Sequence, residues 1–275
     1  VDATVERALA SPHRRLLTVT ANEPLGAYRL LRVADPDGPP PDPGQFTMLA
    51  ASERWGGGED ERPYLARAFS VARVRDDEAH YLLEDVGPGT RRLCELTPGE
   101  GVLALGPLGR GFSLPREGRR ALLVGGGVGI APLAILQDKL TAAAVAHTVL
   151  LGFRDALHAA GASLLSDAML ATDDGSAGHA GLVTDLLAAE LRRDGHAVVY
   201  ACGPAPMLEA VRALCAARET PAQLALEAGM ACGFGACYGC AVPTRDGGYV
   251  RVCIDGPVLD GGELEHVDAH AGAPA

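Results

Sequence analysis

The sequence predicts a multi-domain β and α/β fold, and three observations carry the prediction. Short alternating or apolar runs, separated by Gly and Pro, fill residues 1–118. From Ala121 an apolar strand, a glycine turn and an Ala- and Leu-rich helix follow one another. Four of the seven cysteines crowd the last quarter of the chain. The expected parts are an N-terminal antiparallel β-barrel (1–118), a Rossmann-like parallel α/β domain (119–222) and a small C-terminal cysteine domain (223–275).

Composition bounds the function. The 275 residues are 48% hydrophobic and 21% charged, enough for a sizeable core and too apolar for a disordered chain. Aromatics are scarce at 4%, whereas Gly (35) and Pro (19) are plentiful, which favours turns over stacking platforms. A net charge of −11 argues against a nucleic-acid partner, because phosphate binding wants a basic surface. The longest apolar stretches, such as Ala121–Val124 and Ala142–Ala146, are far shorter than the ~20 residues of a membrane span. The opening Val1–Arg7 has no basic start followed by an apolar run, so no secretory signal is read, and a cytoplasmic chain is expected.

The barrel is expected from runs at Arg15–Thr20, Tyr28–Val33, Phe46–Ala50, Ala68–Val74, Tyr81–Val86 and Gly101–Leu105. Asp35–Pro43 is Pro-rich and reads as a loop. Ser52–Pro63 carries three consecutive glycines and a run of charges, and reads as a mobile excursion. Gly106–Gly109 reads as a turn closing the barrel. Two strings stand out. Arg67-Ala68-Phe69-Ser70 sets a cation for phosphate, an aromatic and a hydroxyl on one strand. Val86-Gly87-Pro88-Gly89-Thr90-Arg91-Arg92 is a glycine turn running into a helix start, whose N–H groups would suit a pyrophosphate. A surface ion pair for Arg67 and a plain hairpin for Gly87–Gly89 are the competing structural explanations.

In the middle third, Ala121–Val124 runs into Gly125-Gly126-Gly127-Val128-Gly129-Ile130-Ala131-Pro132, and a helix is expected from Leu133 to Val145. Strand, glycine turn and helix together place a pyrophosphate on helix N–H groups, and Pro132 suits the first helical turn. Thr148–Phe153 is the next strand and ends in Arg154-Asp155. An acid there would meet a ribose 2′-hydroxyl and an arginine a 2′-phosphate, so NAD and NADP both stay open. Thr172–Gly181 reads as a polar loop, with His179 on the surface rather than catalytic. Ala197–Ala201 is a further strand, followed by Cys202-Gly203-Pro204 and a helix from Leu208 to Ala217. Cys202 thus stands at a strand's carboxyl end, where ligands of α/β sheets bind. Cys94 and Cys215 read as small buried hydrophobes.

The remaining cysteines read Cys232-x4-Cys237-x2-Cys240-x12-Cys253, the plant-type [2Fe–2S] spacing. Gly233, Gly235 and Gly239 lie between the ligands, where left-handed backbone and close approach to sulfur are expected. Structural zinc would also take four cysteines, but as two C-x2-C knuckles, and only one is present. The odd cysteine count and the lack of a signal argue against a disulfide framework. The run after Glu263, with His266 and His270, reads as a frayed tail.

Barrel, nucleotide unit and terminal cluster, in that order, resemble the ferredoxin-reductase superfamily. More closely the chain resembles the electron-transfer subunits of NAD-dependent (class 1B) dihydroorotate dehydrogenases. The carriers are Arg67–Ser70, Gly87-Pro88-Gly89-Thr90, Gly125–Pro132, Thr172-Asp173-Asp174-Gly175-Ser176, Cys202-Gly203-Pro204, and Glu227 with Cys232–Cys240. The short gap to Cys253 is the most specific of them. The resemblance implies FAD in the barrel, with Arg67 on its pyrophosphate, Ala68 and Phe69 beside the flavin and Ser70 near its reactive nitrogen. It implies a second flavin-phosphate contact at Gly87, Gly89 and Thr90, with Leu82, Leu83 and Glu84 on the strand leading in. That strand often ends in arginine in the family; here Glu84 stands in its place, with Arg91 or Arg92 as candidates to compensate. NAD is implied over Gly125, Gly126, Gly127, Gly129, Ala131 and Pro132 and over Cys202, Gly203 and Pro204. The implied partner is an FMN-containing dihydroorotate dehydrogenase catalytic subunit, in a heterotetramer of two of each chain, serving pyrimidine biosynthesis. A flavin/iron–sulfur reductase subunit of a hydrogenase- or transhydrogenase-type complex is the alternative within the same chemistry. A cluster-bearing redox sensor is the non-enzymatic one.

Overall fold

The computed structural model describes residues 14–56, 63–116, 118–193 and 195–267. The barrel strands are β1 (Arg14–Leu25), β2 (Tyr28–Ala34), β3 (Phe46–Ala51), β4 (Arg67–Ser70), β5 (Arg73–Arg75) and β6 (Glu78–Leu83). Helix α1 (Pro88–Cys94) and β7 (Gly101–Leu108) complete this part. They form one antiparallel sheet in the order β4-β3-β7-β1-β2-β6-β5. Its two edge strands, β4 and β5, are separated in the chain only by Val71 and Ala72, both buried, so the sheet curls until its edges meet. A barrel arranged this way leaves no long free edge. Its interior is filled by Leu17, Val19, Leu31, Leu49, Tyr81 and Leu83.

Two barrel expectations need correction. The run 68–74 is not one strand but β4 and β5, because the chain turns a barrel corner at Val71-Ala72. Gly106-Pro107-Leu108 is not a closing turn: β7 runs on through it, pairing Leu108 with Phe46 across a register shift in β3. Of the excursion expected at Ser52–Pro63, residues 57–62 lie outside the described residues.

The second sheet begins with β8 (Arg120–Gly126), a 3-10 turn (Gly127–Ile130), α2 (Ala131–Ala142) and β9 (His147–Phe153). There follow α3 (Ala156–Ala159), β10 (Ala168–Thr172), β11 (His179–Ala180), α4 (Val183–Arg193), β12 (Ala197–Cys202) and α5 (Ala205–Ala216). The strand order is β11-β10-β9-β8-β12, followed by β13 (Ala222–Ala225). All of these pairings are parallel. From β8 the chain moves outward through β9 and β10, then returns to β12 on the other side of β8. This reversal opens a crevice at the strands' carboxyl ends, where such sheets bind ligands. Ala121–Val124 and Ala197–Ala201 are buried, as strands covered on both faces require. Thr172 proves to end strand β10 rather than to open a loop, and it is fully buried with its hydroxyl donating to the Ala177 carbonyl (2.8 Å).

The cysteine segment carries β14 (Ala241–Pro243) and β15 (Tyr249–Arg251) as a hairpin. β16 (Val258–Asp260) then joins the large sheet antiparallel to β13. Cys240, Val242, Val252 and Cys253 share one apolar core with Phe46, Met48 and Leu108 of the barrel and with Leu224 and Leu259 of the large sheet. This small segment therefore draws its stability from both neighbours. The tail expected to fray is held at its start: Leu264 and Val267 are buried, and the Val267 N–H donates to Glu209 (2.9 Å). His270 lies outside the described residues. No helix among the described residues is long and apolar enough to cross a membrane.

Candidate functional site

A cleft of about 520 Å³ opens where the three parts meet. This is within the range of small-molecule sites. One wall is the string expected from sequence: Arg67, Ala68, Phe69 and Ser70 on β4, with Leu82, Glu84, Val86, Gly87 and Thr90. The opposite wall comes from the crevice of the parallel sheet, with Val128, Gly129, Ala131 and Cys202. The third wall, Leu226–Ala231, runs from the end of β13 directly into Cys232.

Each side chain is there for a local reason. β4 is an edge strand, so its residues stay partly exposed to the cleft rather than sinking into the barrel. Arg67 lies against the start of α1: a Cβ on Gly89 would come within 2.7 Å of its Nε. The Thr90 hydroxyl oxygen accepts from the N–H groups of Val86 (2.9 Å) and Gly87 (3.0 Å), which fixes the turn beneath that guanidinium. A guanidinium beside a helix start is the pairing that an anionic pyrophosphate takes. On β6 the side chains alternate. Leu82 faces the cleft, whereas Leu83 is buried in the barrel core, so its side chain is no part of this wall.

Glu84 is not relieved by the neighbours considered from sequence. Arg92 is turned away and buried, donating to Glu100 (2.6 Å), and its guanidinium holds the Glu100 carboxyl at about 2. Arg91 pairs with Asp85 at the surface (3.2 Å). Arg154 of the second sheet answers Glu84 instead, at 3.1 Å.

The two loops of the crevice are packed to contact. A Cβ on Gly129 would sit 2.6 Å from the carbonyl carbon and oxygen of Cys202 and from the Cα of Gly203. Only glycine permits that approach. Gly125, Gly126, Gly127, Pro132, Gly203 and Pro204 do not line the cleft; they form the turn and loop beneath Gly129 and Cys202. Pro132 stands in the first turn of α2, as its fixed φ favours. Cys202 is buried, and burial, followed by the Glu227 carboxylate, pushes its thiol well up. Burial raises the Glu227 carboxyl as well.

The four clustered cysteines form two neighbouring pairs. Cys240 and Cys253 have their sulfurs 3.2 Å apart. Burial would raise the Cys232 thiol, but the N–H groups of Cys237, Phe234 and Ala236, with the Cys237 side chain, bring it down to about 7. Cys253 is pushed up to about 12 by burial and by Cys240, while Gly235 offers its N–H. Four cysteines in two pairs, with backbone N–H groups turned to the sulfurs of Cys232 and Cys253, are the donor set that an iron–sulfur cluster takes. Gly233 (φ 77°) and Gly235 (φ 83°) take the left-handed backbone expected of them. Within Cys232–Cys240 the third left-handed residue is Tyr238 (φ 59°), not Gly239.

Leu226–Ala231 was not read from sequence as part of the site. The available signal was its place between a strand's carboxyl end and the first cluster cysteine. Cys94 and Cys215 take no part: burial raises both thiols, to about 11 and about 12. His179 is at the surface near Asp185 (3.5 Å).

A curled antiparallel barrel, a parallel nucleotide-type sheet and a shared cleft define the ferredoxin-reductase type of fold, here with the cysteine segment at the cleft's third wall. Comparisons with known proteins agree. Residues 227–265 match the family model described as the iron–sulfur cluster binding domain of dihydroorotate dehydrogenase B. The chain is 38% identical over 231 residues to the dihydroorotate dehydrogenase B (NAD(+)) electron transfer subunit of Geobacillus sp. (strain WCH70), covering 81% of this chain and 86% of that protein. It is 39% identical to the electron transfer subunit homolog of Aquifex aeolicus, covering 84% and 90%. In three dimensions it resembles a chain of the NADH-dependent reduced ferredoxin–NADP oxidoreductase structure, with TM-score 0.78, 25% identity and coverage of 92% and 90%. A ferredoxin NADP+ reductase from Neisseria gonorrhoeae with bound FAD and NADP shares the fold at TM-score 0.61 and 16% identity, covering 74% of this chain and 91% of that one. The chain belongs to the family of dihydroorotate dehydrogenase B (NAD(+)) electron transfer subunits.

Proposed function

We propose that this chain carries electrons from a dihydroorotate-oxidising catalytic subunit through a [2Fe–2S] cluster and FAD to NAD+, in pyrimidine biosynthesis. The observation that carries this reading is the third wall of the cleft. Residues 226–231 line it, and Cys232 follows without a break. A cluster on that loop and a flavin in that cleft would be joined by one short segment of backbone.

When bound, a flavin accepts electrons one at a time and passes two on as a hydride, which suits the junction between a cluster and a nicotinamide. The residues of this chain supply binding and position. Arg67, with the turn Gly87–Thr90, would hold the flavin pyrophosphate. Phe69 would pack beside the ring, and the Ser70 hydroxyl would hydrogen-bond its edge. Gly129, Ala131 and Cys202 would let the nicotinamide reach the same cleft, over the turn from Gly125 to Pro132. Cys232, Cys237, Cys240 and Cys253 would ligate the irons.

The catalytic partner is taken to carry FMN and to assemble as two of each chain in the cytoplasm. Its docking face is placed around residues 223–255, where Cys237, Phe234, Tyr238 and Tyr249 are exposed. The test is dihydroorotate-dependent reduction of NAD+ by the co-purified chains. Activity that needs both chains supports the reading. Absence of activity, in a chain that still holds FAD and iron and oxidises NADH with a dye, moves the module to another oxidoreductase. The likeness to the ferredoxin–NADP oxidoreductase chain supports that second reading.

A further inference from the structure

Arg154 stands where the barrel meets the parallel sheet. It follows Phe153, the last residue of β9, at the carboxyl end of the strand beside β8. Its carbonyl accepts from the Asp174 N–H (3.3 Å), so its backbone is fixed by the loop after β10. Its side chain reaches the other way, and Nη2 donates to Glu84 Oε1 on the cleft wall (3.1 Å). The two partners are unequal: the Arg154 side chain is 63% exposed and that of Glu84 only 19%. The same Glu84 oxygen lies 3.5 Å from His158 Nε2, while His158 Nδ1 lies 2.7 Å from Asp155 Oδ1. Glu84 therefore keeps a second polar neighbour if Arg154 departs.

These facts set up an exchange. A half-exposed ion pair is held by at most about fivefold in equilibrium terms, so it is easily given up. The carboxyl end of a strand next to the glycine-turn strand faces the ribose–phosphate part of a dinucleotide. An arginine there gains charge-assisted, bidentate bonds from a phosphate.

We propose that Arg154 exchanges Glu84 for a phosphate of the incoming nicotinamide dinucleotide, and that Glu84 thereby sets nucleotide affinity by competing for the guanidinium. The proposal rests on the nicotinamide-linked reading above. It makes Arg154 a binding residue and Glu84 a positioning residue that acts through it.

The test uses the full chain loaded with FAD, with flavin content read by absorbance for each variant, and follows oxidation of NADH and of NADPH with a dye acceptor. Arg154→Ala is expected to raise the KM about tenfold, the worth of a charge-assisted contact. Glu84→Gln is expected to lower it about threefold by releasing Arg154. The double variant is expected to match Arg154→Ala. A pyrophosphate contact shifts NADH and NADPH alike, whereas a 2′-phosphate contact shifts NADPH alone. Arg154→Ala within about twofold of the parent for both nucleotides overturns the exchange. So does Glu84→Gln that weakens nucleotide binding as Arg154→Ala does, since a merely structural pair would behave that way. A parent chain that holds FAD yet oxidises neither nucleotide defeats the nicotinamide reading instead.

Discussion

Gly129→Ala puts the packing of the nucleotide crevice to a direct test. The added methyl would sit 2.6 Å from the Cys202 carbonyl carbon and oxygen and from the Gly203 Cα. All three are backbone atoms at the end of a buried strand, so no side chain can rotate to make room. Gly203 is itself close to the turn after β8: a Cβ there would lie 3.0 Å from Gly126 N. Relief requires the turn after β8 and the loop after β12 to separate. Overpacking of this kind costs about 1–3 kcal/mol. For a chain of this size that corresponds to a fall in Tm of about 2–5 °C. The larger effect falls on function, because a shift of about 1 Å in a binding crevice costs up to about a hundredfold in kcat/KM. Differential scanning fluorimetry and NADH–dye kinetics read the two effects. Gly195→Ala is the control: nothing lies within 4 Å of its Cβ position, and it should stay within about 0.5 kcal/mol of the parent. A Gly129→Ala chain with unchanged Tm and unchanged kcat/KM would falsify the reasoning.

Other outcomes follow from the same geometry. Arg67→Ala should weaken FAD binding about 10- to 100-fold, the worth of charge-assisted bonds to a phosphate, and flavin fluorescence on dilution measures it. Cys253→Ser should abolish the visible cluster absorption, and iron analysis of anaerobically purified protein should find the cluster missing; a full complement of iron would remove Cys253 from the ligand set. Gly235→Ala forces a side chain onto a left-handed backbone (φ 83°) against Ile254, and should lower cluster occupancy while leaving FAD content higher than Arg67→Ala does. The Arg92–Glu100 pair sets an acid limb. The Glu100 carboxyl falls from 4.5 to about 2 because Arg92 donates to it. Its stabilisation is thus fully present above pH 4.5 and is lost as the pH falls towards 2. Glu100→Gln should flatten the Tm profile over that window and lower Tm at neutral pH.

Much of the fold was legible because it depends on short-range signals. The strand–turn–helix at Ala121–Pro132 is local: apolar run, glycines and Pro132 lie within a dozen residues. The cluster spacing is likewise a property of a loop. Legibility failed where neighbours in space set the outcome. Val71-Ala72 reads as strand by composition, yet a barrel corner bends it. Leu264 and Val267 read as a tail, yet an apolar surface built by three distant segments buries them. Thr172 reads as loop by its polarity, yet its hydroxyl finds the Ala177 carbonyl and can be buried.

The candidate site divides along the same line. Which residue types could meet phosphate, flavin edge and iron is already written in the order of amino acids: Arg67, Ser70, the glycines and the four cysteines. Their chemistry and spacing are covalent facts. It took the packing of distant segments to turn Leu82 to the cleft and Leu83 to the core, and to make Leu226–Ala231 join the cleft to the cysteine loop. That packing also decided that Glu84 answers to Arg154 rather than to Arg91 or Arg92. Those outcomes depend on which segments share a surface, and burial of apolar area across the whole chain selects that arrangement.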